Sequence, residues 1–303
     1  MGAVALLLAA FLWGTAFVAQ KLGGNHIGPF ALTFARNAVA ALFLYVICAV
    51  RGKAKSAFTR RTFLSGLACG IALFFASLSQ QIGIADTTPG ISAFLTSNYI
   101  LLVPVFGIFA NRKPGLDAFV WVVLALAGAY LICIGEGEGF SIGRGEAWTL
   151  LCAALFAIQI LLVDRFAPGT DIFAFSCAQQ LAGAFCASPF LFLASERAFY
   201  VPEELLSAIL PILYIAIFSS GIAYTCQNYG QTRCPPMLAA IIMALESAIG
   251  AVSGWLFLGD SLTTRQLAGC GILLFTVIAS QTIGKGSRHA QSDAPGAGRT
   301  EEG

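Results

Sequence analysis

The sequence predicts an all-α integral membrane protein, and three observations lead to this fold class. Apolar residues make up 58% of the 303 residues and charged residues only 11%, whereas a soluble globular chain carries about 25% charged residues. The mean hydropathy is +0.82. Apolar runs long enough to cross a bilayer, which takes about 20 helical residues, recur along nearly the whole chain. This composition excludes an ordinary cytosolic enzyme, a disordered protein and a secreted disulfide scaffold.

Ten apolar segments are predicted to be transmembrane helices, and their short connections leave no room for a soluble domain. Their predicted bounds are 3–22, 29–50, 62–84, 88–110, 118–135, 147–166, 172–194, 206–226, 234–257 and 264–284. The first segment lacks a basic start and is too long for a signal peptide, so we interpret it as a helix of the fold. Residues 286–303 contain no apolar run, and we expect a disordered cytoplasmic tail there.

The Lys and Arg residues between the segments predict that both termini are cytoplasmic. With ten spans and an internal N-terminus, twelve basic residues fall on the cytoplasmic side and four on the outer side. The cytoplasmic residues are Arg51, Lys53, Lys55, Arg60, Arg61, Arg112, Lys113, Arg165, Arg233, Lys285, Arg288 and Arg299, and the outer residues are Lys21, Arg144, Arg197 and Arg265. This bias follows the positive-inside rule, and we expect the plasma (bacterial inner) membrane as the location.

The first five segments are similar to the last five, which indicates an internal repeat. Three stretches carry the match: Ala9–Leu22 with Ala153–Phe166, Pro29–Arg36 with Ile172–Gln179, and Gln80–Gly90 with Gln227–Pro236. The second of these alignments pairs Arg36 with Gln179. Because five is odd, the second copy enters the membrane from the opposite side. Inverted five-helix repeats over residues 1–139 and 143–285 are typical of secondary transporters, whose substrate site lies near the bilayer midplane.

Three stretches of the sequence resemble the EamA-type transporters of the drug/metabolite transporter superfamily. They are AAFLWGTAFVAQKLG at the start, FARNAVAALFL in the second segment and ALESAIGAVSGWLFLGDSLTTRQLAGCGILL across the last two. The resemblance covers residues 3–284 and implies ten helices in two inverted repeats, a central cavity and export of small metabolites or amino acids. Members often carry Glu-Pro and Gly-Glu where this chain has Glu246-Ser247 and Gly259-Asp260. We expect the first difference to remove a helix kink.

Glu246 and Arg36 are the ionisable residues that fall well inside predicted spans. An ionised carboxylate there costs several kcal/mol unless it is paired, hydrated or protonated. Glu246 is therefore a candidate for coupling proton movement to substrate movement, and a neutral acid that fixes helix packing is the alternative. For Arg36, one interpretation is that the side chain snorkels to the outer face. The other is that it reaches the cavity and meets Glu246 or an anionic substrate group.

Polar and aromatic side chains inside the spans complete the candidate set for the cavity. The candidates are Asn98, Tyr99, Gln179, Trp13 and Tyr224. The intramembrane amides are Gln80, Gln81, Gln179, Gln180, Gln227 and Asn228. Amides in a bilayer must find hydrogen bonds inside the bundle, either with a solute or with a neighbouring helix. The sequence leaves both options open for each amide.

Two further patterns predict how the helices bend and pack. Pro104 removes a backbone donor, so we expect a kink in the fourth span. Small residues four positions apart predict close helix contacts. They occur at Gly66/Gly70, Gly183/Ala187 and Gly250/Gly254.

The sequence favours a secondary transporter, not an enzyme, that moves a small amino acid-like or drug-like solute outward by alternating access. A lipid or lipid-linked sugar flippase of the same fold is one alternative, and a membrane-embedded enzyme or scaffold is another. The expected partners are a small-molecule substrate and the lipid bilayer, with protons as an open option for the coupling ion. Two histidines, no CxxC pair and a net charge of +2 predict no cofactor, metal or nucleic acid. Monomer and homodimer are both open.

Overall fold

A computed structural model describes residues 1–53, 55, 58–109, 116–133, 143–259 and 263–292. Within these ranges all regular structure is helical and no strand occurs. The helices before residue 134 are α1 (Gly2–Gly24), α2 (Pro29–Val50), α3 (Arg60–Ala85), α4 (Pro89–Ser97), α5 (Tyr99–Phe109) and α6 (Leu116–Cys133).

The second part of the chain contains helices of three kinds. The α-helices are α7 (Arg144–Phe166), α8 (Ile172–Ala187), α9 (Pro202–Tyr214), α10 (Tyr224–Gln231), α11 (Pro236–Met243), α12 (Glu246–Leu258) and α13 (Thr264–Ser292). Two 3₁₀ segments, Ser188–Phe192 and Ala194–Tyr200, follow α8. A π-helical segment, Ile215–Ala223, joins α9 to α10.

Seven helical stretches among the described residues, three of them made of consecutive helices, are long and apolar enough to cross a membrane. They are Gly2–Gly24, Pro29–Val50, Arg60–Ala85, Pro89–Phe109, Arg144–Phe166, Pro202–Gln231 and Pro236–Phe257. The pair Ile172–Phe192 and Ala194–Tyr200, bent by 105°, makes eight if it forms one span. Phe119–Leu131 and Thr264–Ser280 are shorter apolar helices. The chain therefore has the architecture of a multi-pass membrane protein.

The fourth predicted span is broken, but not where its proline predicted. Pro104 lies inside α5, and the break between α4 and α5 falls at Asn98. The Asn98 amide nitrogen donates to the carbonyl oxygens of Phe94 and Leu95, both at 3.1 Å. This side chain competes with the backbone for carbonyls at the end of α4, which explains why the helix ends there.

The ninth predicted span is also broken, so the expected loss of its kink was wrong. The α-helix stops after Met243 and begins again at Glu246, although no proline follows the glutamate. The backbone N–H groups of Leu245 and Ser247 donate three residues back along the chain, which tightens the turn. The Ser247 hydroxyl also hydrogen-bonds the Ser97 hydroxyl near the other break. Hydrogen bonds between the two broken spans thus stabilise a turn that the sequence did not indicate.

Two helix ends differ from their predicted positions. The seventh span was predicted over 172–194, but α8 stops at Ala187 and the chain then follows tighter 3₁₀ turns through Pro189. At the C-terminus, α13 extends to Ser292, beyond the predicted end of the tenth span at residue 284. Extending an existing helix requires far less ordering than starting a new one. The remainder of the predicted tail lies outside the described residues.

The tightest helix contacts depend on glycine. Helix α3 packs against α7 and α8, α2 against α8, α6 against α13 and α1 against α12. A Cβ atom on Gly66 would lie 2.6 Å from the Phe175 carbonyl oxygen, and one on Gly70 would lie 2.6 Å from the Ala182 side chain. The small-residue pair predicted in α3 therefore brings the backbones of α3 and α8 together.

Candidate functional site

A narrow cavity lies in the middle of the helical bundle, between helices from both parts of the chain. It contains about 400 Å³ of space among the side chains, little of it wide enough for a water molecule. The polar and charged lining residues are Gln20, Arg36, Gln80, Thr96, Ser219, Gln227 and Glu246. The aromatic lining residues are Trp13, Phe17, Tyr99, Phe156 and Tyr224. The cavity thus combines aromatic walls with a few polar groups, as small-molecule sites commonly do.

Arg36 of α2 points into the bundle, which excludes the snorkelling interpretation. The residue is 3% exposed. Its Nε donates to the Ser220 hydroxyl at 2.8 Å and its Nη2 to the Ser219 hydroxyl at 3.2 Å. Its Nη1 donates to Gln20 Oε1 at 3.3 Å. Three neutral acceptors therefore hold the guanidinium inside the bundle without neutralising its charge.

The π-helical segment explains how two consecutive serines reach the same guanidinium. A π-helix has more residues per turn than an α-helix, so successive side chains point in closer directions. Side chains of other helices bond the backbone carbonyls of this segment. Trp13 Nε1 donates to the Ser219 carbonyl at 3.3 Å, and Gln180 Nε2 donates to the Ser220 carbonyl at 2.8 Å. The irregular segment is thus fixed from both sides, and it positions Arg36.

Glu246 and Tyr99 meet where the two broken spans restart. Each is the first residue of its second half-helix, and each lies ten positions after the proline, Pro236 or Pro89, that opens its span. The Tyr99 hydroxyl donates to Glu246 Oε1 at 3.0 Å. Glu246 is 4% exposed and stands at the N-terminus of α12, where the helix dipole favours negative charge. The Glu246 carboxyl group is therefore stabilised by the Tyr99 hydroxyl and by the N-terminus of α12.

The two charged residues share the cavity without forming an ion pair. The salt bridges found among the described residues involve neither Arg36 nor Glu246. A buried charge in a membrane interior requires compensation, and a bound solute with opposite charges can supply it to both groups. The described residues contain no cluster of three His, Cys, Asp or Glu side chains that could hold a metal.

The structure brings together five of the seven candidates from the sequence. Arg36, Glu246, Tyr99, Trp13 and Tyr224 all line the cavity, and the rings of the last two are 4.9 Å apart between centroids.

Asn98 and Gln179 are not among the residues that line the cavity. The Asn98 side chain bonds the end of its own helix, α4. Gln179 Oε1 accepts a hydrogen bond from Asn228 Nδ2 at 2.9 Å. Both side chains therefore have structural partners in α4 and α10, which the sequence could not distinguish from a role in the cavity.

Sequence reasoning missed three polar lining residues, Gln20, Thr96 and Ser219. Gln20 stands next to Lys21 near a helix end, and Ser219 belongs to a Ser-Ser pair inside an apolar run. Such a pair in a predicted span is a signal that could have identified it. Among the intramembrane amides, Gln80 and Gln227 reach the cavity. Gln227 Oε1 is buried and has no hydrogen-bond partner, which leaves it available to a solute.

Comparisons with known proteins agree with this architecture. The model of the EamA-like transporter family matches residues 1–134 and 143–280. An uncharacterized transporter of Archaeoglobus fulgidus is 26% identical over 279 residues, which cover 90% of this chain and 83% of the relative. The threonine/homoserine exporter RhtA of Escherichia coli K12 is 28% identical over 294 residues, which cover 96% of this chain and 94% of the relative.

A crystal structure that matches this chain illustrates the shared fold. It superposes with a TM-score of 0.76 and covers 93% of this chain and 96% of its own, at 16% sequence identity. At this identity the likeness concerns the fold alone.

Proposed function

Because this chain belongs to the EamA-like transporter family, we propose that it is a secondary transporter that exports a small zwitterionic solute of the amino-acid class. The observation that carries the proposal is the presence of Arg36 and Glu246 in one buried cavity without an ion pair between them. A solute with one carboxylate and one ammonium group complements both. The similarity to a threonine/homoserine exporter supports the same substrate class.

Within this proposal, Arg36 binds the carboxylate of the solute and Glu246 binds its ammonium group. A guanidinium suits a planar carboxylate because its N–H donors form a fixed fork. Glu246 and Tyr99 together offer an anion and a hydroxyl for an ammonium group. Gln227 Oε1, which has no partner within the protein, is a further acceptor for it. The cavity is narrow in this conformation, so we expect solute to enter when the bundle opens toward one side.

We propose ten spans in two inverted halves, residues 1–139 and 143–285. The packing supports this symmetry. The third span, α3, packs against the sixth, α7, and the equivalent eighth span, Pro202–Gln231, packs against the first, α1. The central pairs join equivalent helices, namely α2 with α8 and α6 with α13. Tyr99 and Glu246 then occupy equivalent positions, as do Arg36 and Gln179. Each charged residue thus has a neutral counterpart in the other half. The two halves therefore contribute opposite charges to the binding site, Arg36 from the first half and Glu246 from the second.

The distribution of basic residues supports an orientation with both termini in the cytoplasm, in the bacterial inner membrane. Alternating access would rock the two halves about the cavity, so that it opens to one side of the membrane at a time. If Glu246 binds either a proton or the ammonium group, solute export and proton import alternate at one carboxyl group. The homologous transporters support transport, and not catalysis, as the activity of this cavity.

Counterflow in proteoliposomes tests the proposal. The full chain is reconstituted and loaded with threonine, homoserine or a mixed pool of metabolites, and exchange with labelled solute is followed. We expect exchange of a zwitterionic amino acid, at least tenfold slower exchange with Arg36→Gln, and loss of accumulation driven by a pH gradient with Glu246→Gln. Glu203→Gln removes an exposed carboxylate at the start of α9 and serves as the matched control.

Three results would contradict parts of the proposal. Exchange that is equally fast for wild type and Arg36→Gln would contradict the proposal that Arg36 binds the carboxylate of the solute. A Glu246→Gln variant with unchanged accumulation would make that residue a packing group. Failure to exchange any soluble compound would favour a lipid or lipid-linked sugar flippase.

A further inference from the structure

A second concave site lies on the outside of the bundle, away from the cavity. It is an apolar groove between α2, the start of α3 and α8, with about 1260 Å³ of open space. Its walls are mainly aromatic and aliphatic, formed by Phe34, Leu42 and Tyr45 of α2, Phe63 of α3, and Leu181 and Phe185 of α8. Along α2 the groove runs from Phe34 to Tyr45, about 16 Å at the helical rise. This is about half the bilayer core, the depth of one leaflet.

One end of the groove carries a dense group of cations, which we call the cationic rim. It consists of Arg51, Lys53, Lys55, Arg60 and Arg61. All five are exposed. Arg51 and Lys53 share one carboxylate, Asp171, at 3.3 Å and 3.9 Å. The rim therefore keeps a strong positive excess in the described part of the chain.

The rim and the groove are adjacent in space. Phe58 lines the groove and packs in one cluster with Phe173. The guanidinium of Arg51 lies over the Phe173 ring, 4.5 Å from its centroid. Arg60 precedes the groove residue Phe63 by three positions on α3, so both lie on one helix face. Positive charge thus surrounds the end of the groove, at the ends of two helices long enough to cross a membrane, where we expect lipid headgroups.

We propose that this groove binds an anionic phospholipid, with an acyl chain along α2 and the headgroup at the cationic rim. An apolar channel of one leaflet's depth that ends in cations matches an amphiphile with a negative headgroup. A second copy of the chain fits this face poorly, because a twofold interface here would bring two cationic rims together. The choice of occupant therefore rests on charge complementarity. The site does not depend on the transported solute.

The test measures how lipids stabilise the purified full-length chain in an uncharged detergent. Phosphatidylglycerol or phosphatidylcholine with identical acyl chains is titrated in, and the unfolding midpoint is recorded. We expect phosphatidylglycerol to raise the midpoint at much lower concentration. The double variant Lys55→Gln/Arg60→Gln should need roughly 30-fold more phosphatidylglycerol for half of the effect. Arg144→Gln/Arg197→Gln, with the same charge change at the opposite helix ends, should behave like wild type.

A second pair of variants tests the groove itself. Ala38→Phe fills it from α2, whereas Ala49→Phe adds the same ring at an exposed position of the same helix. We expect Ala38→Phe alone to abolish the lipid-dependent rise. Equal effects of both lipids on wild type, an unchanged rise with Ala38→Phe, or an equal loss in the Arg144/Arg197 control would each overturn the proposal. A lipid-free dimer that Ala38→Phe converts to monomer would also overturn it and assign the groove to a second copy.

Discussion

At the scale of single residues, Arg36 is a buried charge that the fold stabilises with neutral hydrogen-bond partners. Its guanidinium is held by Ser219, Ser220 and Gln20 and reaches the cavity with its charge intact. Hydrogen bonds to charged groups contribute about 1.5–3 kcal/mol each. The serines therefore determine where the charge lies, and in the proposed function Arg36 presents this charge to the solute.

Removing one of these hydroxyl groups should affect transport and stability. For Ser220→Ala we expect the free energy of unfolding to fall by about 1–3 kcal/mol and the KM for the carboxylate-bearing solute to rise. Ser207→Ala is the control, because that hydroxyl bonds only its own exposed helix turn. Unfolding in detergent and counterflow kinetics measure the two effects. A Ser220→Ala variant with wild-type KM would show that Arg36 does not depend on this bond.

At the scale of helices, the lining of the cavity depends on places where regular α-helix is interrupted. Asn98 ends α4, a tight turn separates α11 from α12, and the Ile215–Ala223 segment is π-helical. Each interruption places a cavity residue: Tyr99, Glu246 and Ser219 respectively. Between the interruptions, glycines such as Gly70 keep neighbouring helices close enough to hold these residues in register.

The glycine contact of α3 with α8 gives a testable consequence. A Cβ on Gly70 would meet the backbone of Gln179 and the Ala182 side chain, so Gly70→Ala should lower the free energy of unfolding by about 1–3 kcal/mol. Gly271→Ala is the matched control, because nothing lies within 4 Å of the position that a Cβ atom would occupy there. Thermal unfolding of both variants in the same detergent measures the difference. Equal midpoints would mean that α3 and α8 can separate without cost.

At the scale of the whole molecule, contacts between the two parts of the chain hold α2 and α8 at both ends. Glu196, from the 3₁₀ segment after α8, is fully buried and accepts a hydrogen bond from the Ala31 N–H at 2.9 Å. It therefore caps the start of α2, where a carboxylate is favoured by the helix dipole. At the opposite end, Arg51 after α2 pairs with Asp171 at the start of α8. A carboxylate from the second part of the chain thus contacts α2 or the residue that follows it at each end of the α2–α8 pair.

Loss of the buried cap should destabilise the fold. Glu196→Ala leaves the Ala31 N–H without its acceptor, and we expect the free energy of unfolding to fall by about 1–3 kcal/mol. Glu196→Gln keeps a carbonyl oxygen that can accept this bond and should retain most of the stability. Denaturation of both variants in detergent distinguishes them. If the alanine variant were as stable as wild type, the cap would not hold α2.

The proposed topology predicts the side on which each end of the chain lies. A fluorescent protein that matures only in the cytoplasm should fluoresce when fused after Gly303. A cysteine introduced at Ser195 should react with a membrane-impermeant reagent applied from outside. One introduced at Lys55 should react only after the membrane is opened. Reaction of the Lys55 position from outside would reverse the proposed orientation, and together with a fluorescent C-terminal fusion it would contradict an even number of spans.

The sequence by itself determined the class of the protein, because burial in a bilayer leaves a local signal. Long apolar runs, biased cations and repeated stretches predicted a multi-pass membrane protein and identified Arg36 and Glu246 as unusual charges, and the resemblance of three stretches indicated its family. Only the tertiary structure decided which polar groups surround those charges. Gln20 and Ser219 line the cavity, whereas Gln179 bonds Asn228 of α10 and Asn98 bonds the end of its own helix. The physical reason is that a hydrogen-bond partner comes from a distant helix, and its position depends on breaks and turns that neighbouring residues do not encode.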